Sequence, residues 1–244
     1  VRAAMATPAT LLAPLLSTLL LYHSVRPAAW GSRPARSGSL SASSVRIRTT
    51  SPLKDEEAQL ARSSGGAMAA TYGELTADGF HVLAHHLCLG GGDKFIDLGS
   101  GEGAIVVQAA ADYQVSAAGI ELVRSRHEKA VQALDSASAD VASRCSLVCG
   151  DAAGEDAAVL LKEATVVWCS NLCFDEELQQ RIADRICEAP CVRAVACLYP
   201  FPHGLGELVQ QQIPIFCRMS WSGRVQSSGD PFLLGFPCTV YLRC

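Results

Sequence analysis

Short apolar runs alternate with longer amphipathic segments from about residue 77 to the end of the chain. The short runs lack polar alternation, which is typical of strands that are buried on both faces of a parallel sheet. The longer segments have the apolar spacing of helices, so the pattern predicts a mixed α/β fold. Helices are predicted at residues 77–89, 104–112, 124–138, 155–163 and 175–188.

The apolar runs between these helices predict the strands of one sheet. Because each run is followed by a helix, successive strands should be parallel, while two segments near the end should pair antiparallel at the far edge. The fold class predicted is a Rossmann-like, mainly parallel seven-stranded sheet with an antiparallel edge. Its recognisable strands lie at residues 94–98, 116–120, 145–149, 164–169, 213–221 and 239–243.

The first strand runs directly into a glycine-rich turn, FIDLGSGEG at residues 95–103. Gly99, Gly101 and Gly103 permit a tight turn and a close approach of the backbone to a ligand. Ligands of open α/β sheets bind at the carboxyl ends of the strands. The segment therefore predicts a pocket for a nucleotide-sized cofactor at this edge.

Polar residues at successive strand ends indicate which cofactor this is. Asp97 and Glu102 would repel the pyrophosphate of a dinucleotide, whereas a sulfonium and an ammonium suit them. Glu121 can accept hydrogen bonds from ribose hydroxyls, and Asp151 can reach an adenine amino group. Asn171 follows the fourth strand. S-Adenosylmethionine is therefore the predicted cofactor, and a class I methyltransferase is the predicted class.

Further motifs give the chain a specific resemblance over residues 70–244. They are TYGELT at 71–76, FIDLGSGEGAIVVQAA at 95–110, GIE at 119–121, VVWCSNLCF at 166–174, MSWSG at 219–223 and VYLR at 240–243. In this order they resemble the non-SET histone lysine methyltransferases named for disruption of telomeric silencing. The resemblance implies a protein that methylates lysine and that uses S-adenosylmethionine.

The residues and the resemblance together assign the site. By the resemblance, Asn171 and Phe174 border the channel that admits the target lysine and Tyr72 lines the methionine end of the cofactor, so these three residues are predicted to be catalytic. The cofactor-binding residues are Tyr72, Glu74, Asp97, Gly99, Gly101, Gly103, Glu121, Asp151 and Asn171. The eleven cysteines have no convincing metal-ligand spacing, so no metal is predicted and they are interpreted as small apolar residues of a reducing compartment.

Two departures from the family pattern and a second resemblance keep alternatives open. Leu172 and Ala152 stand where the family usually has aromatic residues, which leaves a cofactor-less interaction module as one alternative. The segment Pro-Phe-Pro-His at residues 200–203 resembles small organellar lysine methyltransferases that modify the c subunit of ATP synthase. An organellar enzyme acting on a non-histone protein is therefore the other alternative, and a methyltransferase for a small molecule stays open as well.

The first part of the chain has the composition of a targeting leader. An apolar stretch at residues 10–22 is too short for a confident membrane span, and residues 24–51 are rich in Ser and Arg without an acidic residue. We therefore predict a disordered leader at 1–51, a linker at 52–70 and a methyltransferase domain at 71–244, without a stable membrane span in the mature chain. The leader indicates a plastid or mitochondrion, whereas the resemblance indicates the nucleus.

The distribution of charge along the chain indicates which kind of partner it binds. The first 50 residues contain six arginines and no acidic residue, so the remaining 14 basic and 24 acidic residues give a net charge of −10. This argues against direct DNA binding once the leader is removed, although a retained leader could serve as a basic arm. The expected partner is a protein that presents a lysine, either a histone or an organellar protein, and the chain is expected to be a monomer.

Overall fold

The computed structural model describes residues 73–222 and 235–243. The predicted leader, the linker and the site residue Tyr72 lie outside these ranges, so these predictions stay predictions. Among the described residues, no helix combines the length and the apolar character needed to cross a membrane. The same residues contain no group of three His, Cys, Asp or Glu side chains that could hold a metal ion.

Five of the six described α-helices fall where the periodicity predicts them, and the sixth, Ala139–Arg144, was not predicted. The helix predicted over 124–138 ends at Asp135, and a separate short helix follows it, which Ser138 caps by accepting a hydrogen bond from the Val141 N–H. Cys88, at φ 50°, follows the end of the first helix, which stops before the predicted residue 89. The helices are α1 Ala77–His86, α2 Ala104–Asp112, α3 Arg124–Asp135, α4 Ala139–Arg144, α5 Glu155–Leu161 and α6 Glu176–Cys187.

The sheet confirms the mixed α/β class and the antiparallel edge, but the described residues form eight strands instead of seven. Two short strands, β5 and β6, have no counterpart among the predicted strand segments. The strands are β1 Lys94–Leu98, β2 Ser116–Glu121, β3 Cys145–Cys149, β4 Val166–Cys169, β5 Ala194–Cys197, β6 Leu208–Gln210, β7 Ile215–Cys217 and β8 Phe236–Arg243.

The strand order brings the predicted site residues to one edge. The order is β3-β2-β1-β4-β5-β8-β6, with β7 paired to β8. The first five of these strands are parallel, and β8 runs antiparallel to β5, β6 and β7. Buried apolar clusters cover both faces of the sheet, one containing Phe80 and Trp168 and the other containing Ile182 and Tyr241. The carboxyl ends of β1, β2, β3 and β4 therefore meet beside one another.

Candidate functional site

The glycine turn after β1 is held against the end of β2. Gly99 and Gly101 have left-handed φ angles of 91° and 56°, which glycine adopts without the steric cost of a Cβ. The N–H groups of Gly99 and Ser100 donate to the Ile120 carbonyl at 2.9 and 3.0 Å. The turn therefore presents its backbone at the carboxyl edge of the sheet, as the glycine spacing predicts.

Glu121, the last residue of β2, ties the turn in place. One carboxylate oxygen accepts the Gly101 N–H at 2.8 Å, and the other accepts the Val123 N–H at 2.8 Å. Arg126 Nη1 lies 4.0 Å from Oε1. Each carboxylate oxygen has a second acceptor position, so Glu121 keeps capacity for hydroxyl donors while it fixes the backbone around it.

Asp97, near the end of β1, is the most unusual group of the site. It is 3% exposed, and among the described residues its Oδ1 has no hydrogen-bond partner. Burial, followed by the negative charges of Glu121 and Glu74, raises the pKa of Asp97 well above its usual range. A cation placed against this carboxyl would supply the missing partner.

An open cavity of about 870 Å³, counting the space at its mouth, lies over this edge of the sheet. Trp168, which is almost completely buried, contributes to its wall. The predicted site residues that line the cavity are Glu74, Asp97, Gly99, Gly101, Glu121, Asp151 and Phe174.

Asp151 and Ala152 form the wall beyond β3. Asp151 Oδ2 pairs with Arg181 Nη2 at 2.7 Å, and Oδ1 accepts the Ala153 N–H at 2.8 Å. Ala152 also lines the cavity. The carboxylate is thus held by its own turn and by α6, and the missing aromatic at Ala152 leaves an apolar surface there instead.

The segment before α1 reaches the cavity through contacts with the chain before β8. The Glu74 N–H donates to Ser220 Oγ at 3.0 Å, and the Ser220 N–H donates to the Glu74 carbonyl at 2.7 Å. The Trp221 ring packs against Gly73 so closely that a Cβ on this glycine would lie 2.0 Å from Cζ3. Gly73 and Glu74 both line the cavity, so Ser220 and Trp221 support that wall.

Two predicted site residues lie elsewhere in the structure. Gly103 does not line the cavity, and a Cβ there would lie 2.9 Å from the Cβ of Ala130, so this glycine serves the packing of α3. Asn171 is 0% exposed, and its amide is bonded to the backbone of Tyr199 and to Gln179. Its side chain therefore supports the loops around the site and does not face the cavity.

Several lining residues were not predicted from the sequence. Leu122 and Arg126 follow Glu121 closely, and this position after a strand end could have indicated them. Leu178 lies in the first turn of α6, whose amphipathic pattern directs it inward. Ser100 and Ile105 flank the glycine turn, so the motif itself could have included both.

The strand order and the acidic cavity at the glycine turn define the class as an S-adenosylmethionine-dependent methyltransferase of the class I type. The family model described as "Histone methylation protein DOT1" matches residues 56–196, more than half of the chain. The chain belongs to this family, which confirms the family predicted from the motifs.

Solved structures of methyltransferases are similar to the chain at low identity. An RNA methyltransferase from Salinibacter ruber in complex with S-adenosylhomocysteine is 22% identical, with a TM-score of 0.44, over 68% of this chain and 88% of that one. A methyltransferase from Thiobacillus denitrificans is 21% identical, with a TM-score of 0.40, over 57% and 52%. The glycopeptide N-methyltransferase MtfA is 19% identical, with a TM-score of 0.41, over 57% and 61%. No curated protein sequence matches the chain.

Proposed function

We propose that the chain is a protein-lysine N-methyltransferase that transfers a methyl group from S-adenosylmethionine to a histone. The observation that carries the proposal is Asp97, a buried carboxyl with an unpartnered oxygen in a cavity that Glu74 and Glu121 also line. Buried polar atoms normally have a hydrogen-bond partner. A cationic ligand supplies one here, whereas a phosphate would meet three carboxyl groups.

The lining residues fit the other parts of this cofactor. The ribose hydroxyls can donate to the remaining acceptor positions of Glu121. The adenine ring fits the apolar wall of Leu122, Ala152 and Leu178, with Asp151 at its edge. Aliphatic side chains offer area for a flat ring without the stacking geometry of an aromatic, so the substitution at Ala152 weakens adenine binding without removing the site.

The cofactor supplies an electrophilic methyl group on a sulfonium, which a nitrogen lone pair takes as the carbon–sulfur bond breaks and S-adenosylhomocysteine leaves. The protein has to hold the lysine nitrogen in line and uncharged. Phe174 lines the cavity 3.5 Å from the position that a Cβ on Gly99 would occupy, so it forms an apolar wall beside the turn. An apolar wall disfavours the ammonium form and lowers the lysine pKa from about 10.4, which frees the lone pair without a dedicated base.

Two proteins are candidates for the acceptor of the methyl group. The family's description as histone methylation proteins supports a histone lysine. An organellar acceptor such as the ATP synthase c subunit is the second candidate, and the net charge of −10 beyond residue 50 favours it because that part of the chain would be repelled by DNA. In the Pro-Phe-Pro-His segment, His203 is exposed in a turn in which the Gly204 N–H donates to the Phe201 carbonyl at 3.1 Å.

The test is transfer of a tritiated methyl group from S-adenosylmethionine to recombinant core histones and, separately, to purified ATP synthase c subunit. Mass spectrometry of the product should show methylated lysine. The Asp97→Asn variant should lose transfer, whereas Asp93→Asn, outside the cavity, should keep it. Absence of calorimetric binding of S-adenosylhomocysteine to the wild-type chain would refute the proposal and favour an interaction module.

A further inference from the structure

A buried pair of amide side chains joins three elements near the carboxyl end of β4. Asn171 begins the short turn after β4, and Gln179 lies on α6. Asn171 Nδ2 donates to Gln179 Oε1 at 3.2 Å. The two residues are 0% and 6% exposed, so each polar atom of the pair has to find its partner within the protein.

Each amide also holds a loop. Asn171 Oδ1 accepts the Tyr199 N–H at 2.9 Å, and Nδ2 donates to the Tyr199 carbonyl at 2.8 Å. Gln179 Nε2 donates to the Phe174 carbonyl at 3.0 Å. One continuous network therefore fixes the backbone of Tyr199, after β5, and the backbone of Phe174, beside the cavity.

The network also holds the backbone of Tyr199, a residue whose aromatic ring is exposed. Tyr199 is 55% exposed although both of its backbone groups are bound to a buried side chain. The same loop is anchored a second time, because the Phe201 N–H donates to Tyr241 Oη at 3.0 Å. Ser170, next to Asn171 in the chain, lines the cavity, as does Phe174. A loop fixed twice that presents an exposed aromatic is suited to contacting a ligand.

We propose that Asn171 and Gln179 are positioning residues for the acceptor, and that the ring of Tyr199 is the acceptor-recognising side chain they position. The inference rests on the proposed function. The hydrogen-bonded pair of Asn171 and Gln179, called the clamp below, holds Phe174 and Tyr199 in position. The lysine side chain then enters between these two aromatic residues. The face of an aromatic ring attracts a lysine ammonium, and the apolar wall of Phe174 then favours its neutral form.

The clamp is tested with Gln179→Leu, which keeps the volume and removes both hydrogen bonds. We expect faster amide hydrogen exchange at Phe174 and Tyr199. With core histones as acceptor, kcat should fall roughly ten- to a hundredfold, because a displacement of about 1 Å can cost that much, while the affinity for S-adenosylhomocysteine stays unchanged. The matched control is Gln180→Leu, which removes a hydrogen bond from Gln180 Nε2 to Asp184 Oδ1 at 2.7 Å and should leave all three measurements unchanged.

Tyr199 is tested separately, since an exposed side chain can be replaced without unfolding the protein. Tyr199→Ala should raise the KM for histones about two- to fivefold, the factor expected for an exposed cation–π contact, and Tyr199→Phe should not. Unchanged exchange and kcat in Gln179→Leu, or an unchanged KM in Tyr199→Ala, would overturn the inference. If the wild-type chain methylates no lysine, the proposed function fails, and the exchange measurement still decides whether the clamp exists.

Discussion

Replacing Asp97 by Asn should make the protein more stable and its cofactor binding weaker. The carboxyl is 3% exposed with one unpartnered oxygen, and Glu121 and Glu74 oppose its ionisation. Burying an ionised carboxylate without a partner costs at least about 1–3 kcal/mol, and Asn has the same size but cannot ionise. Removing the charge should recover a free energy of unfolding of that size, which raises the Tm by roughly 2–4 °C per kcal/mol in a domain of this size.

The direction in which the stability of the protein changes with pH follows from the direction in which the pKa of Asp97 is shifted. Because the pKa of folded Asp97 lies above the unfolded value of about 3.9, the folded state binds more protons between these two values, and stability falls as pH rises through that interval. Below about pH 3.9 both states are protonated and the penalty is absent. The stability gain of Asp97→Asn should therefore be near zero in strong acid, grow as pH rises and become constant above the raised pKa.

Binding should change in the opposite direction. A charge-assisted hydrogen bond contributes about 1.5–3 kcal/mol, so the Asn variant should bind S-adenosylhomocysteine roughly 10- to 150-fold more weakly. In the wild-type protein, affinity should rise with pH as Asp97 ionises. Urea denaturation over a pH series and isothermal titration calorimetry measure both effects. An Asn variant that is less stable at about pH 8, or that binds as tightly as wild type, would refute the reasoning.

Asp93→Asn is the matched control because its carboxyl has the opposite environment. Burial acts to raise the pKa of Asp93, but hydrogen bonds from Arg193, Thr165 and the Gly90 N–H lower it more. The stability that this carboxylate contributes is present above the unfolded pKa and is lost as pH falls through the lowered one. Asp93→Asn should therefore destabilise the protein by about 1–3 kcal/mol near neutral pH and leave the affinity for S-adenosylhomocysteine unchanged.

Two glycine substitutions test the packing around the site. Gly103→Ala should destabilise the protein by about 1–3 kcal/mol, because φ is 77° and the new Cβ would lie 2.9 Å from that of Ala130. Gly91→Ala, with no atom within 4 Å, is its control in urea denaturation. Gly73→Ala should displace the ring of Trp221 and weaken S-adenosylhomocysteine binding severalfold in calorimetry. Equal stabilities of the first two variants, or wild-type affinity in the third, would contradict these contacts.

The sequence predicted the fold well where the residues of one short segment were sufficient to define the local structure. The turn between β1 and α2 has its glycines at fixed spacing, so its position and its ligand edge could be inferred locally. The strand β5 was missed because its four residues, Ala194–Cys197, are mostly small and weakly apolar by comparison with longer runs. The helix Ala139–Arg144 was missed because it depends on Ser138, a cap that the continuous helical pattern before it conceals.

The sequence indicated which residues lie at the site better than it indicated what each of them does there. A carboxylate at a strand end predicts a polar group at the cavity, and Asp97 and Glu121 both lie there. The role of Asn171 depends on contacts with Tyr199, which lies 28 residues away along the chain. No spacing rule predicts that an amide will satisfy a distant backbone pair, since that requires the positions of two loops in three dimensions.

The arrangement of Asp97 and Glu121 explains why the site is costly to the fold and useful to the ligand. Their strands are neighbours in the parallel sheet, with Asp97 opposite Gly119 in the register. Glu121 accepts hydrogen bonds from the Gly101 and Val123 N–H groups, so the turn is held in place before a ligand binds. Among the described residues no donor reaches Asp97 Oδ1, and a cation that enters the cavity would supply its ionised form with a partner. A carboxyl that is destabilising without ligand thereby contributes to selectivity, because a ligand without a positive charge leaves the charge of the carboxylate uncompensated.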